Sequence, residues 1–297
     1  MTIVRHAYPM VLLVALGCGA TPKPLAREIT RTPLTAEAQD KHAQLVAEGD
    51  ALWLERGDEA KLRQAIAKWD EAVQVKPDAH AIYAKLTRAC YLLADGFLSF
   101  DQDRSEEFMA THEKGVAYAE QGMMALSPEY EKKRRAGAKL EDAAKTLGKE
   151  AVPLLYWYDV NLGKWAKHQG ISTTLKYKER IFKTMQRVQE LDPEYFFGAP
   201  DRYFGAYYAL APSFAGGDLD KSRQYFDASL SKAKNYLATH VLVADTYATK
   251  VQDRDLYERE LRLVLETPAD SIPELVPEQM IEKKKAEKLL KEIDEKF

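Results

Sequence analysis

The stretch Arg63–Pro77, "RQAIAKWDEAVQVKP", sets Ala65, Trp69, Ala72 and Pro77 at spacings of four, three and five. Steps of three and four put the first three side chains on one face of a helix, because that face recurs every 3.6 residues. Alanines let a second helix approach, Trp69 fills the gap beside them, and Pro77 stops the helix because it has no amide hydrogen to continue the ladder. Small-large-small followed by proline is the spacing of the second helix of a tetratricopeptide repeat.

Similar endings recur in "GMMALSP" (Pro128) and "RVQELDP" (Pro193), and "SRQYFDAS" repeats the small-large-small face with Ser222, Phe226 and Ser229. First helices precede them in "AIYAKLTRACYLLAD", "VPLLYWYDVNLGKWA" and "RYFGAYYALA"; a further pair follows in "HVLVADTYATKV" and "DLYERELRLVLE". The intervals between the prolines exceed the roughly 34 residues of a regular repeat, so insertions must enlarge the middle units. "EQMIEKKKAEKLLKEIDEKF" then places Ala286, Leu289, Ile293 and Phe297 on one stripe, as a capping helix requires. The expected fold over 35–297 is all-α: stacked tetratricopeptide-like helix pairs, an α-solenoid, with insertions and a C-terminal capping helix.

The chain opens "MTIVRHAYPMVLLVALGC", with Arg5 and His6 before an apolar run too short to span a bilayer. "ALGC" resembles a bacterial lipobox, so residues 1–18 are expected to be a lipoprotein signal with Cys18 as the lipidated residue. Residues 19–34, rich in Thr and Pro, are expected to form a flexible tether. The only other cysteine, Cys90, falls in an apolar helical run and is expected in the core, with no disulfide.

With 43 basic against 46 acidic residues and a net charge of −3, nothing favours a nucleic-acid partner. No phosphate loop, dinucleotide fingerprint, H-E-x-x-H or paired C-x-x-C is present, and the six histidines are scattered singly. The expectation is a protein with no catalytic residues, no metal and no cofactor.

Aromatic side chains crowd one region. "DPEYFFGAPDRYFGAYYALAPSFAGGD", Asp192–Asp218, holds eight of them. Tyr156, Trp157 and Tyr158 are consecutive, hence about 100° apart on a helix, and cannot all face one core. Tyr203 with Phe204 and Tyr207 with Tyr208 form similar adjacent pairs. These rings are expected to line a ligand cavity or meet another subunit, with Asp201 and Arg202 as polar orienting groups; the alternative is that they fill a loose helical stack. Phe226 and Trp165 read as packing.

Together, "LLYWYDVNLGKWA", "EYFFGAPDRYFGAYYALAPSFAGGDLDKSRQYFDASL" and "NYLATHVLVADTYATKVQDRDLYERELRLVL" make the chain resemble the T component of tripartite ATP-independent periplasmic (TRAP) transporters, the TatT family, over roughly 36–297. The resemblance implies a periplasm-facing lipoprotein that binds the solute-receptor P subunit, self-associates, for example as a trimer, and offers a pore-like cavity to a small apolar or amphipathic ligand. Gly19, in place of an aspartate after the lipidated cysteine, favours the inner leaflet of the outer membrane by the same resemblance. The rival expectation is a general scaffold for envelope complexes with no small-molecule ligand. Replacing Cys18→Ser is expected to move the protein out of the membrane fraction; a variant that stays membrane-bound through salt and carbonate washing contradicts the anchor.

Overall fold

The computed structural model describes residues 20–24 and 28–297; the signal segment and Cys18 lie outside the described residues. All regular structure among the described residues is helical. Helix α1 (Ala36–Leu54) pairs with α2 (Glu59–Val75), and α3 (His80–Gly96) with α4 (Ser105–Leu126). Short α5 (Pro128–Arg135) and α6 (Leu140–Ala143), with 3-10 turns, occupy the inserted length before α7 (Val152–Gln169) and α8 (Ile171–Leu191). The pair α9 (Tyr195–Leu210) and α10 (Leu219–Lys232) follows. Then α11 (Leu237–Leu242), a π-helical stretch (Val243–Ala248) and α12 (Thr249–Val251) run into α13 (Arg254–Glu266), α14 (Val276–Lys291) and the last turn α15 (Ile293–Lys296). The helix pairs stack as an α-solenoid.

The helix boundaries follow from local chemistry. Side chains of Thr35, Asp58, Ser127, Asp218 and Asp253 accept hydrogen bonds from free backbone amides in the first turns of α1, α2, α5, α10 and α13. Pro77, Pro128 and Pro193 stand just past the ends of α2, α4 and α8. Ala65, Trp69 and Ala72 are all buried, and Gly49 of α1 lies so close to the Trp69 ring that a Cβ there would stand 2.5 Å from it. The Trp69 Nε1–H donates to Asp50 Oδ1 at 3.0 Å. Cys90 is buried and free, and burial pushes its thiol up to about 12.

Segments 20–24 and 28–34, read from the sequence as a tether, touch the helices. Lys176 Nζ donates to the Ala20 carbonyl at 3.1 Å, and the Lys23 amide to Glu113 Oε1 at 2.8 Å. Ile29 is buried against the main core, and Arg31 donates to the Met124 carbonyl at 2.6 Å and pairs with Glu131 at 2.8 Å.

Helix α14 caps the stack, with Ala286 buried and Phe297 edge-on to Tyr257 at 5.2 Å. Its other face returns to the first helices. Glu278 takes Arg56 at 2.8 Å and Arg88 at 2.7 Å, and Lys285 reaches the buried Asp95 at 2.6 Å. Lys164 of α7 bonds the other oxygen of Asp95. Burial alone would raise the Asp95 pKa, but the two ammonium groups outweigh it and hold the carboxyl well below its usual range.

Asp95→Asn is therefore expected to destabilise the fold by on the order of 3 kcal/mol at pH 7, since it leaves the largely buried Lys285, and the more exposed Lys164, without their shared counter-charge. A depressed folded pKa stabilises above the unfolded value and ceases to do so in acid. The gap between wild type and variant should thus narrow as pH falls below about 4. Urea midpoints measured from pH 7 down to pH 2.5 check this; a constant gap contradicts it.

Candidate functional site

Where α14 returns to the stack, rings from four elements converge. Tyr91 of α3 lies 5.3 Å from Trp157 of α7, which is 4.9 Å from Tyr156 and 5.1 Å from Phe196. Tyr236, just before α11, stacks on Phe197 at 5.3 Å and meets Phe196 edge-on at 5.8 Å. Trp157 Nε1–H donates to the Tyr195 hydroxyl at 3.1 Å. Tyr156, Trp157 and Tyr236 are buried, whereas Tyr91, Tyr195, Phe196 and Phe197 are half-buried, so the wall keeps a face toward solvent.

Two guanidinium groups sit in this wall and differ in electrostatic standing. Arg88 lies 4.9 Å over Phe196 and 5.1 Å over Trp53, and pairs with Glu278, which it shares with Arg56. Arg202 is 4% exposed, lies 4.4 Å over Tyr236, and donates to the carbonyls of Phe197 at 2.9 Å and Phe196 at 3.3 Å and to the Tyr156 hydroxyl at 3.4 Å. Among the described residues no carboxylate pairs with it. Dipoles and a π-face stand in for a counter-ion.

The carbonyls that face Arg202 are aimed by an unusual backbone. Phe196, Phe197 and Gly198 hold φ of 43°, 61° and 69°, a short left-handed turn at the start of α9. Gly198 adopts this freely, but each phenylalanine bears a strain of about 1–2 kcal/mol. The turn also swings both rings inward onto Tyr236.

A family model described as the TRAP transporter T-component matches residues 97–297, more than half of the chain. The chain belongs to this family. It is thereby a component of such a transporter, associated with the bacterial envelope. Comparison with curated proteins finds no match. No helix among the described residues is long and apolar enough to cross a membrane.

This T-component distributes the residues singled out from its sequence over three places. Tyr156, Trp157 and Arg202 come together in the wall described above. Tyr158, also buried, points to the far side of α7, near Arg180 and Glu120. Tyr203, Phe204, Tyr207 and Tyr208 form a second stack with Phe182 and Tyr225 between α8, α9 and α10; Phe204 is buried and the three tyrosines are half-buried. Asp201 turns away from its neighbour Arg202 and ties α9 to α10 through Lys232 at 2.8 Å and to α8 through Gln189 at 2.8 Å. Sequence reading passed over Arg88, Tyr91, Tyr236 and Glu278, which meet the wall from distant parts of the chain, and over Tyr195, Phe196 and Phe197 inside the very stretch it examined. Two hollows lie elsewhere, about 310 Å³ beside Lys23, Asp70 and Tyr118, and about 470 Å³ on the outer face of α13.

One buried acid on α7 was also missed. Asp159 is 1% exposed, neither carboxyl oxygen has a hydrogen-bond partner among the described residues, and burial raises its pKa well above the usual range. A raised folded pKa stabilises fully below about 4, and that contribution is lost as pH rises toward the folded value. Asp159→Asn should remove this dependence, so that urea midpoints at pH 5, 7 and 9 vary less in the variant than in wild type; equal slopes contradict the assignment.

Proposed function

We propose that this protein is a periplasm-facing, lipid-anchored accessory subunit of a TRAP-type transporter, which binds the solute-receptor P subunit and takes a small amphipathic ligand at the ring wall. The match of residues 97–297 to the T-component family carries the reading. Cys18 is the proposed anchor, self-association into a homo-oligomer such as a trimer is part of the proposal, and the lipoprotein is placed at the inner leaflet of the outer membrane. No catalytic step is assigned to it.

The amphipathic character of the ligand is supported by Arg202. Rings supply a surface for an apolar chain or flat group, and a buried guanidinium without a carboxylate favours an anionic head beside them. Strain in the Phe196–Gly198 turn fits a wall that moves to admit such a molecule. The second aromatic stack, with Tyr203, Phe204, Tyr207 and Tyr208, presents half-buried hydroxyl-bearing rings suited to a protein partner.

Calorimetric titration with dodecanoate and with dodecanol tests the ligand site. Arg202→Gln is expected to weaken dodecanoate about tenfold, or about 1.4 kcal/mol, with dodecanol affected much less. Equal losses for both compounds would point to damaged packing and not to head-group recognition. If wild type takes neither compound yet still captures the purified P subunit, the ring wall is no ligand site and the scaffold reading stands for it.

A further inference from the structure

Four large apolar side chains stand in water near one end of the solenoid: Ile171 is 74% exposed, Leu175 56%, Leu210 58% and Phe214 91%. Scattered singly they would need no explanation, but here they adjoin. Ile171, Leu175 and Lys178 follow one stripe of α8. Lys178 Nζ bonds the Ala215 carbonyl, next to Phe214, in the turn that begins after Leu210 ends α9. The α8 stripe and the α9–α10 turn therefore form one apolar edge.

The start of the described chain meets α8 on the face next to this edge. Lys176, in the same turn of α8 as Leu175, donates to the Ala20 carbonyl and to Thr21 Oγ1 at 2.8 Å. Two described points of the segment lie along α4, Lys23 at Glu113 and Arg31 at Met124, nearer its C-terminus. Ser105 at the other end of α4 bonds His168 at the end of α7, beside Ile171. Two residues span at most about 7 Å, so covalent geometry alone keeps Cys18 within that distance of Ala20. A linker free over all of 19–34 would let the body sit at any angle. A strapped one presents this edge to whatever holds Cys18.

We propose that the edge formed by Ile171, Leu175, Leu210 and Phe214 rests on the lipid surface in which Cys18 is anchored. This orientation rests on the lipid-anchor reading of Cys18 given above. Exposed Lys167 and Lys176 and half-buried Lys178 lie in this region and suit anionic head groups, with Asp218 paired to Lys221 and Asp220 the opposing charge nearby. Acyl chains supply the affinity; the edge supplies the orientation, and with it the direction in which the ring wall and the second aromatic stack face.

The mature lipidated protein, in liposomes of phosphatidylethanolamine and phosphatidylglycerol, tests this with an environment-sensitive dye. The dye is placed through Phe214→Cys, and in a control through Leu263→Cys on α13. Cys90 is buried and its thiol stays protonated, so labelling goes to the introduced site. Expected are a blue-shifted emission and several-fold quenching by brominated lipid at position 214, and neither at 263. If the protein floats with liposomes and its Cys18 carries lipid, yet position 214 keeps aqueous emission, the orientation is overturned while the anchor stands. If it does not float, the anchor reading itself fails, and the orientation with it. A shift at 214 that occurs without lipid and rises with protein concentration assigns the edge to a second copy and also overturns the proposal.

Discussion

A buried carboxylate holds the two ends of this solenoid together. Asp95 of α3 is 4% exposed and accepts bonds from Lys164 of α7 and Lys285 of α14. Removing such a charge from water is costly, and it remains ionised inside only because two ammonium groups share it. Helical repeats ordinarily touch their sequence neighbours alone. Here the contact joins the second helix pair to the last long helix across 190 positions. Glu278, four charge-assisted bonds deep in Arg56 and Arg88, adds a second clasp on the same face of α14.

Closure lays the last long helix of a one-dimensional stack against its second helix pair. Once α14 lies against α3, the inward faces of α3, α7 and α9 and the residue before α11 are brought within ring-contact distance of one another. Aromatic side chains suit such a gap because each covers a large area with only two rotatable bonds. The left-handed turn at Phe196–Gly198 follows from the same geometry. A regular helix start would aim the Phe196 and Phe197 carbonyls along α9, whereas the turned backbone aims them at Arg202. A lysine could not replace that arginine, since only a planar guanidinium can donate to two carbonyls and stack on Tyr236 at once.

Much of this was legible in the chain. The Ala65-Trp69-Ala72 spacing and the recurring prolines identified the helix pairs, because both are local rules of packing and of backbone hydrogen bonding. Three consecutive rings were expected not to share one core, yet Tyr156, Trp157 and Tyr158 are all buried in the main core, because α7 has packed neighbours on more than one side: Tyr156 and Trp157 meet the ring wall, and Tyr158 lies near Arg180 and Glu120. What could not be read was the partnering across long separations. Nothing in the neighbourhood of Arg88, Tyr91 or Tyr236 marks them as one wall, and no propensity signals two phenylalanines with positive φ. Asp201 and Arg202 show the limit most plainly. Adjacent on a helix they read as a pair, yet about 100° of rotation sends one to Lys232 and the other to Tyr236.

The two arginines of the wall divide its electrostatics unequally. Arg88 comes from outside the family-matched range and shares Glu278 with Arg56, and it contributes a flat cation between Trp53 and Phe196. Arg202 lies within that range and has only dipoles around it. An anion placed among the rings would thus meet Arg202, which has no paired carboxylate among the described residues, and beside it two guanidinium groups that share one carboxylate, in a low-dielectric setting where a Coulomb interaction is several times stronger than in water. A cation there would meet carboxylates already engaged by Arg56, Arg88 and Lys285. The clasp that closes the solenoid therefore also sets the sign of its interior, because the acids of α14 are occupied in holding the ends together and leave Arg202 without a rival.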